Sequence, residues 1–472
     1  MLDRGRMKPG IARSSKTIES PSIRHLLRPR SIAVIGASRN PQKLGSRILE
    51  ELRSGGFNGR LHVVHPEAVV IQGLPSVPSA RELPPGIDLA IVCVPAERVP
   101  GVVDDCARAG VGAAVVFSAG FAETGQDGRV AQAALLDRVR AAGMRMVGPN
   151  SLGIVNLDPT IRLHAACSSI LPAPGGISLA SQSGTLGIAV LDLAAERDVG
   201  LSSFVSVGNK ADVSSNDLLE YWEDDPATRV ILLYMESFGN PLRFARIARR
   251  VAFKKPIVAL KASRTDAGSR SVGPHIASLA NHDTVTRAIF QQTGIISAER
   301  IDEMFDIAVC LDLQPLPKGR RVAIVTNAGG AGILAADACA VSGLTVASMS
   351  DVTGARLASL PAVLADSAVD SVVVIHMPTE SGHSGAMLAS IGHAVAAARA
   401  SGITEKPVLV CSVTRKRRAA PIEAGTERLP AYLFPENAVR ALGKIAAYAD
   451  WWRESSSIKE VFDGQQSGNR SV

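Results

Sequence analysis

The chain repeats one local pattern: a short aliphatic run, a glycine-containing turn, then an amphipathic stretch. Ser31-Ile-Ala-Val-Ile35 followed by Gly36-Ala-Ser38 is the first instance. Leu61–Val64, Leu89–Val94, Ala113–Phe117 and Met144–Val147 continue the series, with helical sequence such as Val130–Ala142 between them. Strands that alternate with helices predict a parallel sheet covered on both faces. Aromatic residues make up 4% of the chain, so its cores must be built from Val, Ile, Leu and Ala, the residues of buried parallel strands.

The pattern divides the 472 residues into three α/β units, in keeping with roughly 150 residues per domain. Residues 1–21 read as a polar, disordered extension and residues 22–156 as a Rossmann-like domain. Pro172, Pro174, Gly175 and Gly176 mark a linker. A second series then runs over residues 170–313, with strands at Ile177–Ala180, Ser203–Ser206, Val230–Tyr234 and Ile257–Leu260. After a second linker at Leu313–Gly319, a third unit spans residues 320–453, with strands at Arg321–Val325, Ser371–Ile375 and Pro407–Cys411. Residues 454–472 read as a polar tail.

Charge and cysteine usage narrow the partners. The net charge is +7, but the basic residues are spread along the chain, and the run Arg415-Lys416-Arg417-Arg418 reads as a solvated surface. With no aromatic-rich basic motif, no nucleic-acid partner is expected. Six dispersed cysteines without a C-x-x-C pair imply reduced thiols in a cytoplasmic protein and no metal site. No apolar run reaches the ~18 residues a membrane helix needs.

The chemistry concentrates at strand ends. In open α/β sheets, ligands bind beyond the carboxyl ends of the strands. Gly36, Ser38 and Lys43 lie where the first strand turns into a helix, whose free N–H groups and dipole favour phosphate. Pro95, Ser118 and Asn150 stand at later strand ends of the same unit. In the second unit, Ser181-Gln182-Ser183-Gly184 precedes a helix and suits an anion, while Glu236 closes the run Val230–Met235. His275, in a loop before the helix predicted over Asp283–Thr293, is a residue type that accepts phosphate, and a carboxylate such as Glu236 can orient its ring.

In this order, these motifs resemble the nucleoside-diphosphate-forming acyl-CoA synthetases, the superfamily of the ADP-forming acetyl-CoA synthetases and the succinyl-CoA synthetase α subunit. The resemblance runs from Ile23 to about Arg453. It rests on Arg28–Ser38, Val147–Gly153, Ser181–Gly184, Val207–Asp212, Lys261–Gly268, Thr326–Gly330 and Phe434–Leu442. It implies a Rossmann-like CoA-binding domain followed by two flavodoxin-like, succinyl-CoA-synthetase-like domains. It also implies a reaction in which acyl-CoA and phosphate give acyl phosphate and CoA, with the phosphoryl group passing through a histidine to ADP. His275 falls at the phosphohistidine position and Glu236 at its supporting carboxylate. Ser181, Ser183 and Gly184 match the phosphate cradle. Gly36, Ser38, Lys43, Pro95 and Ser118 match the CoA site, and Asn150 a position near the thioester.

The chain departs from the family pattern in several places. His-Thr-Gly-Ala is replaced by His275-Ile276-Ala277-Ser278, and Val-Asn-Pro by Val64-His65-Pro66. The third unit reads as shortened between Leu360 and Ser371, and no ATP-grasp domain follows Tyr448. The resemblance thus implies an α-type subunit that takes CoA and a small carboxylic acid and works in an oligomer. ATP or ADP with Mg2+ would be held by a separate ATP-grasp (β-type) chain. Two other readings stand beside it: a CoA or acyl-CoA sensor without turnover, and a nicotinamide oxidoreductase. The oxidoreductase is disfavoured because the second glycine of G-x-G-x-x-G is missing.

Overall fold

A computed structural model describes residues 23–67, 70–263, 283–348, 359–377, 384–412, 420–424 and 427–468. It contains three largely parallel sheets. The expected N-terminal extension and His275 with its loop lie outside the described residues.

The first sheet has the order β3-β4-β2-β1-β5-β6-β7, built from β1 (Ser31–Ile35), β2 (Arg60–Val64), β3 (Val70–Ile71), β4 (Leu74–Val77), β5 (Leu89–Val92), β6 (Ala113–Val116) and β7 (Arg145–Val147). All its pairs are parallel except the small hairpin β3–β4. Strands β1, β5 and β6 are buried along their whole length, which is why they read as unbroken aliphatic runs. Since β2 lies on one side of β1 and β5 on the other, the strand order reverses at β1 and opens a crevice at its carboxyl end.

The chain leaves this sheet sooner than residue 156. Strands β8 (Gly153–Asn156) and β9 (Leu163–Ala166) join the second sheet, because β8 pairs antiparallel with β11 (Leu201–Ser206) through Phe204↔Val155 and its neighbours. The other strands of that sheet are β10 (Pro174–Ser181), β12 (Val230–Met235), β13 (Ile257–Lys261) and β14 (Ile296–Ala298), in the order β14-β13-β12-β10-β11-β8-β9. Its switch point lies between β10 and β12, which places Ser181–Gly184 beside Glu236.

The third sheet runs β16-β15-β17-β18-β21, from β15 (Arg321–Thr326), β16 (Thr345–Val346), β17 (Ser371–His376), β18 (Val408–Ser412) and β21 (Ala431–Tyr432). A separate hairpin pairs β19 (Ile422–Ala424) with β20 (Glu427–Leu429). The passage from Leu360 to Ser371, read as shortened, holds the six-residue helix Leu360–Ala365. The last helix does not end at residue 453 but extends over Pro435–Gly468. Ahead of residue 453 it is anchored: Tyr448 and Ile445 are buried, Tyr448 donates to Ala252 O at 2.6 Å, and Lys444 reaches Ser297 O at 2.6 Å. The helix thereby fastens the third sheet to the second. No helix of the described residues is long and apolar enough to cross a membrane.

The first two units share one hydrophobic core, in which Ile32 and Ile91 join a cluster with Trp222, Phe244 and Ile247. A nearly dry ion-pair cluster reinforces the seam. Arg145 donates to Asp212 at 2.8 Å and to Asp217 at 3.2 Å, and Asp212 also accepts from the Met146 amide at 3.0 Å. The Arg145 and Asp212 side chains are only 12% and 7% exposed. Removing one partner of such a pair strands the other, at a cost of about 3 kcal/mol. Arg145→Met is therefore expected to lower the first thermal transition by several degrees, whereas Arg246→Met, at an exposed position, leaves it in place; differential scanning calorimetry reads both.

Candidate functional site

At the first switch point the chain must bend tightly. Gly36 has φ +98°, and a Cβ there would lie 2.3 Å from Cys93 O. Gly45 is as constrained, its Cβ position falling 2.5 Å from Gly36 O. The helix Leu44–Ser54 therefore starts hard against the β1 turn. Lys43 is its N-cap, no side chain caps it, and no acidic residue sits in its first turn. Its leading amides are left for an anion. Lys43 is exposed at this end. Ser38 is turned into the loop: its hydroxyl accepts from Asn40 N at 3.2 Å, and its amide donates to the buried Ser46 hydroxyl at 2.9 Å. Ser38 thus shapes the turn through local bonds. Pro95 is exposed ahead of the short turn Ala96–Arg98, and Ser118 bonds Val94 O at 2.5 Å, tying the ends of β5 and β6 together.

Asn150 lies in the crossover from the first sheet to the second, with φ +59°. Its amide donates to Ser118 O at 2.9 Å, and its side chain faces Asn209 Oδ1 at 3.4 Å. Asn209 in turn donates to Pro149 O at 2.9 Å through its backbone, and to Glu123 and Gln132 through its side chain at 2.5 and 2.9 Å. Burial would raise the Glu123 carboxyl. The hydrogen bonds from Asn209 and from the Gly120 and Phe121 amides outweigh that and hold it below the ordinary carboxylate range. Gly208 permits the approach, since a Cβ there would meet Pro149 O at 2.3 Å.

At the second switch point the buried Ser181 donates to Ser183 O at 2.6 Å, which shapes the turn into the helix Gly184–Glu196. Ser183 is the N-cap, and again no side chain caps the helix and no acid occupies its first turn. Gly184 packs on Leu152 of the crossover, 2.8 Å from where its Cβ would stand. Each switch point thus presents an uncapped helix start, and the second packs on the crossover segment.

Glu236 follows β12, half-buried, and its carboxylate has no hydrogen-bond partner among the described residues. Its main chain is held from three sides. Gln182 accepts from the Glu236 and Ser237 amides at 2.8 and 2.9 Å and donates to Ser237 O at 2.9 Å. Lys261, 2% exposed, donates to Glu236 O at 2.7 Å. Lys210 donates to Ser237 O at 3.1 Å and to its hydroxyl at 2.5 Å. Burial lowers Lys210 to about 8, with nearby Glu236 opposing the shift. Burial and Glu236 together raise the Tyr234 phenol.

The expected residues Ser181, Ser183, Gly184 and Glu236 are therefore brought together at one switch point, and Gly36, Ser38, Lys43, Pro95 and Ser118 at the other, with Asn150 between. Sequence reasoning assigned no role to Gln182, Lys210, Asn209, Lys261 or Glu123. Four of these lie inside motifs it singled out: Gln182 in Ser181–Gly184, Asn209 and Lys210 in Val207–Asp212, and Lys261 in Lys261–Gly268.

Residues 30–156 match the family model of the CoA binding domain, and residues 174–311 that of the succinyl-CoA ligase like flavodoxin domain. The first switch point falls inside the CoA-binding match. Gly36→Ala, which drives a Cβ into Cys93 O, is accordingly expected to abolish calorimetrically detectable CoA binding, whereas Gly101→Ala, in open space on a helix, leaves it intact.

The α subunit of ADP-forming acetate–CoA ligase I from Pyrococcus furiosus is 40% identical over 327 residues, 68% of this chain and 70% of that subunit. The α subunit of ligase II from the same organism is 38% identical, with 71% of this chain and 72% of that subunit aligned. ADP-forming acetate–CoA ligase I of Archaeoglobus fulgidus is 40% identical, but this chain spans only 47% of its length. Among solved structures, acetyl-coenzyme A synthetase 1 of Ca. Korarchaeum cryptofilum, in complex with phosphate and ADP, superposes with a TM-score of 0.81 at 32% identity, covering 92% of this chain and 98% of that one. A protein from Pyrococcus horikoshii OT3 gives a TM-score of 0.79 at 30% identity, covering 91% and 100%. An aliphatic three-sheet chain with these matches, and with glycine turns at both switch points, belongs to the nucleoside-diphosphate-forming acyl-CoA synthetases, with the α subunits of the ADP-forming acetate–CoA ligases among its relatives.

Proposed function

We propose that this chain is the α-type half of an ADP-forming acid–thiol ligase and carries the acyl and first phosphoryl transfers. The observation that bears most weight is an uncapped helix start at each switch point, the second packed on Leu152 of the crossover and beside a Glu236 carboxylate that has no hydrogen-bond partner among the described residues. The first helix start suits the phosphates of CoA and the second an inorganic phosphate.

The reaction then follows from charge and geometry. Phosphate held at Gly184 attacks the thioester carbonyl. The C–S bond breaks, CoA leaves as thiolate and takes up a proton, and acyl phosphate remains. A ring nitrogen of His275 attacks phosphorus next, the P–O bond to the acyl group breaks, and the carboxylate departs. Glu236 steadies the other ring nitrogen and stabilises the positive charge that develops there. A separate ATP-grasp (β-type) chain, binding ADP with Mg2+, receives the phosphoryl group. The matched Ca. Korarchaeum cryptofilum structure holds phosphate and ADP, which supports nucleotide use by the assembled enzyme.

The half-reaction needs no nucleotide, so it can be tested on this chain alone. Incubation with acetyl-CoA and radiolabelled inorganic phosphate is expected to leave acid-labile, alkali-stable label on the protein. His275→Ala should remove all of it, and Glu236→Gln should slow its appearance roughly a hundredfold. Label that persists in His275→Ala, or no label in the unaltered chain, overturns the proposal. Lys43→Ala should weaken CoA binding roughly three- to tenfold, the scale of one exposed charge contact. An unchanged dissociation constant in calorimetry would remove Lys43 from the CoA site.

A further inference from the structure

We propose that Lys210 is a positioning residue for the phosphoryl transfers: its ammonium, anchored on Ser237, holds the Glu236–Ser237 turn in register with the cradle at Gly184. This rests on the function proposed above and adds a residue to it. Three strand ends converge on this two-residue turn. Gln182 comes from the end of β10, Lys261 from the end of β13, and Lys210 from the loop after β11. Gln182 and Lys261 bind main-chain atoms of Glu236, and only Lys210 reaches the Ser237 hydroxyl. Among the described residues the Glu236 side chain makes no hydrogen bond, so these main-chain contacts aim it. The Lys210 contact, unlike that of Gln182, can be lost by titration, and of the three it alone holds the Ser237 side chain.

Lys210 has a left-handed backbone, φ +46°, and lies in the loop that the crossover pins through Asn209 N to Pro149 O and Ala211 N to Gly148 O, at 2.9 and 3.2 Å. The loop therefore cannot readily follow a displaced Ser237. The charged and titratable groups around the ammonium are Glu236 and Tyr234 on β12 and its end, Lys261 on β13, Asp212 in its own loop and Glu123 beyond Asn209. Asp212 is engaged by Arg145 and the Met146 amide, and Glu123 is held below the ordinary carboxylate range. Tyr234 is shifted upward. Lys210, brought down to about 8 by burial, loses its charge as pH rises past that value. Below that value it carries its full set of donors. Above it the amine is neutral, its hold on Ser237 weakens, and the Glu236 turn loosens.

The test follows phosphate incorporation from acetyl-CoA and radiolabelled inorganic phosphate into the full-length chain between about pH 6 and pH 10, a range that brackets the shifted and ordinary lysine values. The unaltered chain is expected to show an alkaline fall centred near pH 8. Lys210→Arg keeps a donor that stays charged throughout and should move that fall upward by about one unit or more. Lys210→Met should lower the rate roughly tenfold or more at neutral pH, the scale of a small misplacement of a reacting group, and lose the alkaline fall. CoA affinity should not change in either variant, because the Gly36 crevice is formed by other residues, and their melting temperatures check that both fold. An alkaline fall left in place by Lys210→Arg, or a Lys210→Met rate equal to that of the unaltered chain, overturns the inference while the function proposed above stands. Absence of label in the unaltered chain at every pH overturns both.

Discussion

The crossover Gly148–Leu152 is the constraint on which both halves of the site depend. It is bonded to each sheet in turn. Ser151 N and Asn150 N donate to Val116 O and Ser118 O of the first unit, at 3.2 and 2.9 Å. The Ser151 hydroxyl reaches Ser206 O at 2.6 Å, and Asn209 N reaches Pro149 O at 2.9 Å, both in the second. A segment fixed at every residue cannot let the two sheets slide independently. The start of the CoA-side helix and the phosphate-side helix therefore keep a set relation, which acyl transfer requires because orientation of the reacting groups supplies much of its acceleration. Arg145, Asp212 and the shared apolar core strengthen the same seam from behind.

The role proposed for Glu236, supporting a phosphorylated histidine, poses a particular problem for a carboxylate. Tied down by its own hydrogen bonds, it would have none to give. Left free, it would sample many rotamers and lose orientation. The structure meets both demands by spending its contacts on the backbone of Glu236 and Ser237 and leaving the carboxylate open. Gln182 does this with one amide group that accepts twice and donates once. The two lysines add positive potential near a centre where phosphate charge accumulates, at a desolvation cost visible in the lowered Lys210.

Much of this was legible in the sequence, for identifiable reasons. The central strands β1, β5, β10, β12, β15 and β17 are buried on both faces, so their aliphatic runs announce them. The turns at Gly36 and Gly184 were readable because helix starts that receive anions need small residues without a competing cap. The additions to the sheets were not readable. Gly153–Asn156 and Leu163–Ala166 are short and lie beside a unit boundary, and the first joins the sheet only through β11, a partner some 50 residues away, with the second paired on it. The continuation of the final helix past residue 453 was not readable because Glu454-Ser-Ser-Ser457 lacks an apolar stripe and serine is not a strong helix former. Lys210 was visible as a letter in a motif, but its burial and its grip on Ser237 exist only once β11 and β12 are set side by side.

The third sheet separates what the fold supplies from what the chemistry adds. At its own switch point Asn327 stands where Gln182 stands in the second sheet, after the first strand and before a glycine-led helix. It bonds the facing strand end in the same manner: its side chain donates to Met377 O at 2.8 Å and accepts from Met377 N at 2.9 Å. Thr326 stands for Ser181, its hydroxyl accepting from Ala328 N at 3.0 Å. A side-chain amide that clasps the neighbouring strand end is therefore part of how these sheets close their switch points, and it cannot by itself identify a reaction centre. The residue after that facing strand does distinguish them. In the second sheet it is Glu236, with an open carboxylate and two lysines on its turn. In the third it is Met377, a thioether that can neither orient an imidazole nor bear charge. The same backbone plan serves both positions, and the ionisable groups added to it at Glu236, Lys210 and Lys261 make the second sheet the one suited to phosphoryl chemistry.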